Sequence, residues 1–185
     1  MSIAALWLPI LLAAVLVFVA STLVHMVFKW HNSDYRKLPN EDAVRDVVRA
    51  GAPTPGQYFM PHCADHKLMR TPEFQQKFAE GPIALMTVRP NGFPGMGGAL
   101  FQWFLLSLFI AAVAACVATL GLPAGAPFAT VFWTTAWVAF MAYGAGSVRD
   151  AVWMGKPWSA VAKDLLDAVI YAALTGGAIA WLWPR

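Results

Sequence analysis

Five consecutive residues, His62-Cys63-Ala64-Asp65-His66, form the densest run of metal-ligating side chains in the chain. Imidazole, thiolate and carboxylate are all ligands for zinc or a related transition metal. His25 and His31 are expected near the same membrane interface, so all four histidines of the sequence gather on one side. One reading is a metal site built from His62, Cys63 and His66. Another is a b-type haem held between His25 and a second histidine. The third is a polar turn with Cys63 as a small filler and no cofactor. The spacing matches no paired-cysteine zinc signature and no c-type haem motif, so the sequence favours the third.

A second group, Arg149, Asp150, Lys163, Asp164 and Asp167, brackets the last two apolar segments. Lys163 and Asp167 are four apart and can pair on one helix face. Asp167 enters an apolar stretch, and an acid inside a membrane span is by default a site hypothesis. Its expected partners are Lys163 and Arg149. Such a group either seats the helix at the interface or handles a proton or ion, as in a small coupled transporter. The sequence holds no GxSxG, HExxH or phosphate-loop pattern. Enzymatic activity is therefore not the favoured reading.

These residues must be held by membrane helices. The chain has 185 residues, of which 59% are hydrophobic and 12% charged, about half the charge of a soluble domain. The deficit comes from four apolar segments, each near the ~20 residues that cross a ~30 Å hydrocarbon layer. They are expected at 3–28, 99–120, 128–148 and 163–183. The first is too long, and lacks the basic start, for a cleaved signal peptide, so a retained helix is expected.

Between the first two lies a polar insertion, 29–98, with 9 of the 13 Lys+Arg and 7 of the 10 Asp+Glu. Asn40 is read as the cap of a helix over 41–50. A strand is expected over 57–60, a helix beginning at Thr71-Pro72-Glu73, and a strand over 83–88. The fold class is thus an α-helical integral membrane protein of four spans with a small α+β insertion. At about 70 residues the insertion is thin for a core of its own, so it should lean on the membrane helices or on a partner.

The charge distribution sets an orientation. Arg149, Lys156 and Lys163 share a side with the insertion, which puts 12 of 13 basic residues there and only Arg185 opposite. The positive-inside rule then places 29–98 in the cytoplasm and both termini in the periplasm. Trp30, Trp103, Trp153 and Trp158 are assigned to the inner aromatic belt, and Trp7, Trp181 and Trp183 to the outer one. Cys63 and Cys116 are expected as free thiols, which suits a reducing cytoplasm. The net charge of +3 does not point to nucleic acid, because the basic residues sit among almost as many acids.

Small residues recur every four positions in the last segment, at Ala168, Ala172, Gly176 and Ala180, with a weaker series at Ala111, Ala115 and Thr119. Such stripes let helices approach closely. They hold the four helices together or, on the sharper reading, dock a second membrane protein. Besides the lipid bilayer, the expected partner is thus a membrane protein bound through the last helix or the insertion. The leading functional reading is a non-catalytic accessory, assembly or interaction subunit.

Two stretches carry a resemblance: His31-Asn32-Ser33-Asp34-Tyr35-Arg36-Lys37-Leu38-Pro39, and Gly155-Lys156-Pro157-Trp158-Ser159 with the closing Trp181-Leu182-Trp183-Pro184-Arg185. Together they resemble a group of small uncharacterised integral inner-membrane proteins of bacteria. The resemblance implies a bacterial inner membrane and four spans. It implies no activity, and no functional residue carries over.

Overall fold

The structure, a computed structural model, describes residues 2–185. Four helical spans account for most of it: Ile3–Phe28, Met96–Gly121, Phe128–Met154 and Trp158–Trp181. Each is long and apolar enough to cross a membrane, and at ~1.5 Å per residue each exceeds the ~30 Å hydrocarbon layer. The chain is a multi-pass integral membrane protein.

The first span is composite. A 3₁₀ turn, Ile3–Leu6, leads into α1, Trp7–Thr22. The helix then widens into a π-helical turn, Leu23–Phe28, closed by the Lys29 amide donating to the Val24 carbonyl at 3.0 Å. Lys29 takes a left-handed conformation, φ +55°, and turns the chain into a 3₁₀ segment, Trp30–Asp34. The other spans are α4, Met96–Gly121, α5, Phe128–Met154, and α6, Trp158–Trp181.

Helix α6 packs along α5 and α1, and α4 closes the bundle against α1 and α5. The core is built mainly from alanine: Ala13 of α1, Ala111, Ala114, Ala115 and Ala118 of α4, and Ala178 of α6. Small side chains permit the close backbone approach that drives association in lipid, where burying apolar area gains little. The stripe of α6 is spent inside the bundle, since Ala168, Ala172, Gly176 and Ala180 are all buried. At Gly144 of α5 an added Cβ would come within 3.1 Å of the Ala168 Cβ. At one end, Trp183 donates its indole N–H to the Pro123 carbonyl at 3.0 Å, and the Gly125 amide bonds the Pro184 carbonyl at 2.8 Å. Trp183 is therefore packed into the bundle and is not part of an aromatic belt.

Two boundaries differ from the sequence reading. The segment expected to end at 148 continues as α5 to Met154, and α6 begins at Trp158 where a loop to Ala162 was expected. Charge marked the ends in the sequence, but Arg149 and Asp150 pair with each other on the helix surface and leave its hydrogen bonding intact. What stops α5 is Gly155 at φ +70°, a left-handed cap that glycine adopts without strain, followed by Pro157.

Residues Lys37–Pro94 form a separate compact unit. It contains α2, Glu41–Ala50, β1, Gly56–Met60, α3, Pro72–Glu80, and β2, Ala84–Val88. The strands pair antiparallel, from Gly56 opposite Val88 to Met60 opposite Ala84. Thr71 caps α3 as expected, accepting the Phe74 amide through Oγ1. Asn40 does not cap α2 with its side chain. Its ψ of 42° lies outside the extended range that an N-cap needs. No residue of this unit is buried, as expected of an insertion too small for its own core.

Candidate functional site

The π-helical turn and the 3₁₀ segment after it bring His25 and His31 face to face, with ring centroids 4.8 Å apart. Wide turns of this kind recur at functional sites because they re-aim side chains that a regular helix would keep in register. His31 lies between two acids. Its Nδ1 is 2.8 Å from Asp34 Oδ2, and its Nε2 is 2.9 Å from Asp167 Oδ2. Asp167 stands on α6, 136 positions away, and is 5% exposed. Its second oxygen, Oδ1, is buried without a protein partner.

Lys163, one turn before Asp167, fixes the other side. Its ammonium donates to the Trp30 carbonyl at 2.8 Å, to Ser33 Oγ at 2.7 Å and to Asp34 Oδ1 at 2.5 Å. All three of its protons are thereby used. The hydrogen bond from Lys163 holds the Asp34 carboxyl below its ordinary value of 3.8, against desolvation, which raises it. Asp34 is thus a carboxylate at neutral pH. The chain Lys163–Asp34–His31–Asp167 ties the segment after the first span to the start of the last. Lys163 pairs with Asp34, and His31 stands between Asp34 and Asp167.

The expected pairing of Asp167 with Lys163 and Arg149 is corrected. Lys163 turns to Asp34, Asp167 to His31, and Arg149 to its neighbour Asp150 at 3.0 Å. The sequence offered only the local i,i+4 option, and the better acceptors arrive from another element. Asp164 is held instead by Ser147 of α5 and by Lys156.

His25, His31 and Asp167 each present a ligand atom, and these three atoms lie within 4.8 Å of one another. No other such group occurs among the described residues. His62 and His66 are exposed, and the Cys63 thiol donates to the Asp65 carbonyl at 3.1 Å. The Cys63 and Cys116 thiols are free. The sequence placed His25 and His31 at one interface but gave no signal that Asp167 meets them. Asp34 was not read as a site residue at all.

The candidate centre adjoins a cleft lined by all four spans, and Trp103 is one of its walls. The Trp103 indole donates to Ser21 Oγ at 2.8 Å inside the bundle, so Trp103 is a packing residue and not an interfacial anchor. Comparison with protein-family models, curated proteins and solved structures finds no match to this chain.

Proposed function

We propose that this membrane protein binds a divalent transition-metal cation at the end of its bundle, through His25, His31 and Asp167. The observation that carries the reading is the position of His31 between Asp34 and Asp167. A metal-bound imidazole usually gives its remaining N–H to a carboxylate, which fixes the tautomer and orients the ring. Asp34 takes that place at Nδ1 and leaves Nε2 facing Asp167. Two imidazoles and one carboxylate suit zinc, with a fourth position left open. Ligand atoms around a tetrahedral ion stand roughly 3.3 Å apart. The His31–Asp167 pair is already near that distance, and His25, exposed at its turn, has its ligand atom within 4.8 Å of the other two. Zinc is thus the proposed cofactor, and metal-dependent sensing or cation handling the proposed class.

The test is equilibrium dialysis of the detergent-solubilised full chain against Zn²⁺, with metal counted by mass spectrometry. About one equivalent per chain is expected. Asp34→Asn removes the outer carboxylate, and with it the ion pair to Lys163, while keeping all three ligands, and a 10- to 100-fold weaker affinity is expected of it. Wild-type protein without a saturable site would end the proposal.

A second reading, that of an accessory or interaction subunit, has its own support. The unit Lys37–Pro94 buries none of its residues, and α2 exposes Val44 and Val47. The contact surface for another membrane protein would be this insertion. The stripe of α6, already buried, lends that role no support.

The positive-inside count and the resemblance to bacterial proteins support a cytoplasmic inner membrane, with Lys37–Pro94 in the cytoplasm and both termini periplasmic. Alkaline phosphatase fused after Arg185 is expected to be active, and the same enzyme inserted near Gly92 inactive. The reverse result would invert the topology.

A further inference from the structure

The cleft beside the cation site has a volume of about 690 Å³, in the range of small-molecule sites. Its walls are mostly apolar, with Met26, Leu100, Leu106 and Ile110 among them. Its polar lining includes Tyr143, Ser147, Lys156, Asp164, Asp167 and Tyr171. Tyr171 is 4% exposed and lies one helical turn beyond Asp167 on the same face of α6. Tyr171 and Asp167 both line the cleft, and the Tyr171 hydroxyl and Asp167 Oδ1 are buried without a protein partner. Two such atoms in a lipid-embedded bundle are costly to leave unpaired. Around them Trp103, Tyr143 and Tyr171 form an aromatic cluster, with ring centroids 5.4–6.0 Å apart.

We infer that this cleft binds a membrane-soluble molecule with an aromatic hydroxyl head, of the phenol or quinol class. A hydroxyl donates and accepts at once. It can donate to Asp167 Oδ1 and accept from the Tyr171 hydroxyl with a single oxygen. A flat ring matches the edges and faces offered by the aromatic cluster, and an alkyl tail matches the Met and Leu walls. An anion would meet Asp150, Asp164 and Asp167, and the one lysine of the lining, Lys156, is already paired with Asp164. The site uses Asp167 Oδ1 and Tyr171, whereas the cation site uses Asp167 Oδ2 and the histidines, so the two proposals stand or fall separately.

The full chain in nanodiscs of synthetic phosphatidylcholine is titrated under argon with decylubiquinol, and binding to empty nanodiscs is subtracted. Saturable binding of one molecule per chain is expected. Tyr171→Phe keeps the ring and is expected to weaken it roughly three- to tenfold. Decylubiquinone, which has no O–H to give Asp167, is expected to bind more weakly than the quinol. 1-Dodecanol, a hydroxyl without a ring, is also expected to bind more weakly. Absence of saturation, equal affinity in Tyr171→Phe, or equal binding of dodecanol overturns the assignment. A thermal midpoint of Tyr171→Phe close to that of the unsubstituted protein shows that the variant is folded.

Discussion

His31→Ala is expected to weaken Zn²⁺ binding by well over 100-fold. Loss of an outer carboxylate costs about 10- to 100-fold, and His31 is a direct ligand in the proposed centre. It is also the only side chain bonded to both Asp34 and Asp167. Without it, Asp167 loses the partner of its Oδ2 and is left buried with neither oxygen bonded, and His25 alone cannot complete a site. His31→Gln retains hydrogen-bonding capacity without a comparable metal ligand, and should lose zinc in the same way while disturbing the bundle less. His62→Ala and His66→Ala are the matched comparison. They are expected to leave zinc uptake unchanged, since neither belongs to the three-ligand group. Zinc lost from these variants, and kept by His31→Ala, would move the metal to His62, Cys63 and His66.

Why the sequence named the wrong partners for Asp167 is a matter of range. Spans are read from length and apolarity, which are local properties, and all four were legible. So were α2, α3 and the paired strands, through helical spacing and turn residues. Contacts between elements are not local. Asp34 and Lys163 are 129 positions apart, and nothing in either segment announces the other. Local pairing at i,i+4 was the only option visible, and it lost to a three-acceptor seat made by Trp30, Ser33 and Asp34. The π-helical turn was also invisible, because Leu23–Phe28 reads as a smooth continuation of the apolar run. Yet that turn is what brings His25 beside His31. Charge misplaced the end of α5 for a related reason. At an interface, charged side chains reach water without ending a helix, and only backbone geometry at Gly155 does so.

The two proposed sites share an architecture. Both sit at the half of the bundle where α6 carries Lys163 and Asp164, then Asp167, then Tyr171, on three successive turns. The opposite half is alanine-rich and closed by Trp183. One end is thus held by close packing, which leaves the other free to carry buried polar groups that weaken a bundle when unpaired. Stability should then depend most on the close contact between α5 and α6.

Gly176 and Gly177 test that dependence within one helix. A Cβ at Gly176 would lie 2.9 Å from the Phe132 carbonyl oxygen and 3.0 Å from the Ala136 Cβ, whereas a Cβ at Gly177 meets nothing within 4 Å. Both substitutions to alanine gain the same helix propensity, about 1 kcal/mol. At Gly176 that gain is opposed by overpacking against backbone, which costs about 1–3 kcal/mol or more because a carbonyl cannot swing aside as a side-chain tip can. Gly176→Ala is therefore expected to lower the thermal midpoint of the detergent-solubilised protein, and Gly177→Ala to leave it unchanged or raise it. Gly176→Leu should prevent α5 and α6 from seating at all, and with them the contact between Asp167 and His31. Equal midpoints for the two alanine variants would mean that α6 tilts freely against α5. In that case the distance from His31 to Asp167 is not fixed by the bundle, and the cation site would have to be assembled by the ion itself.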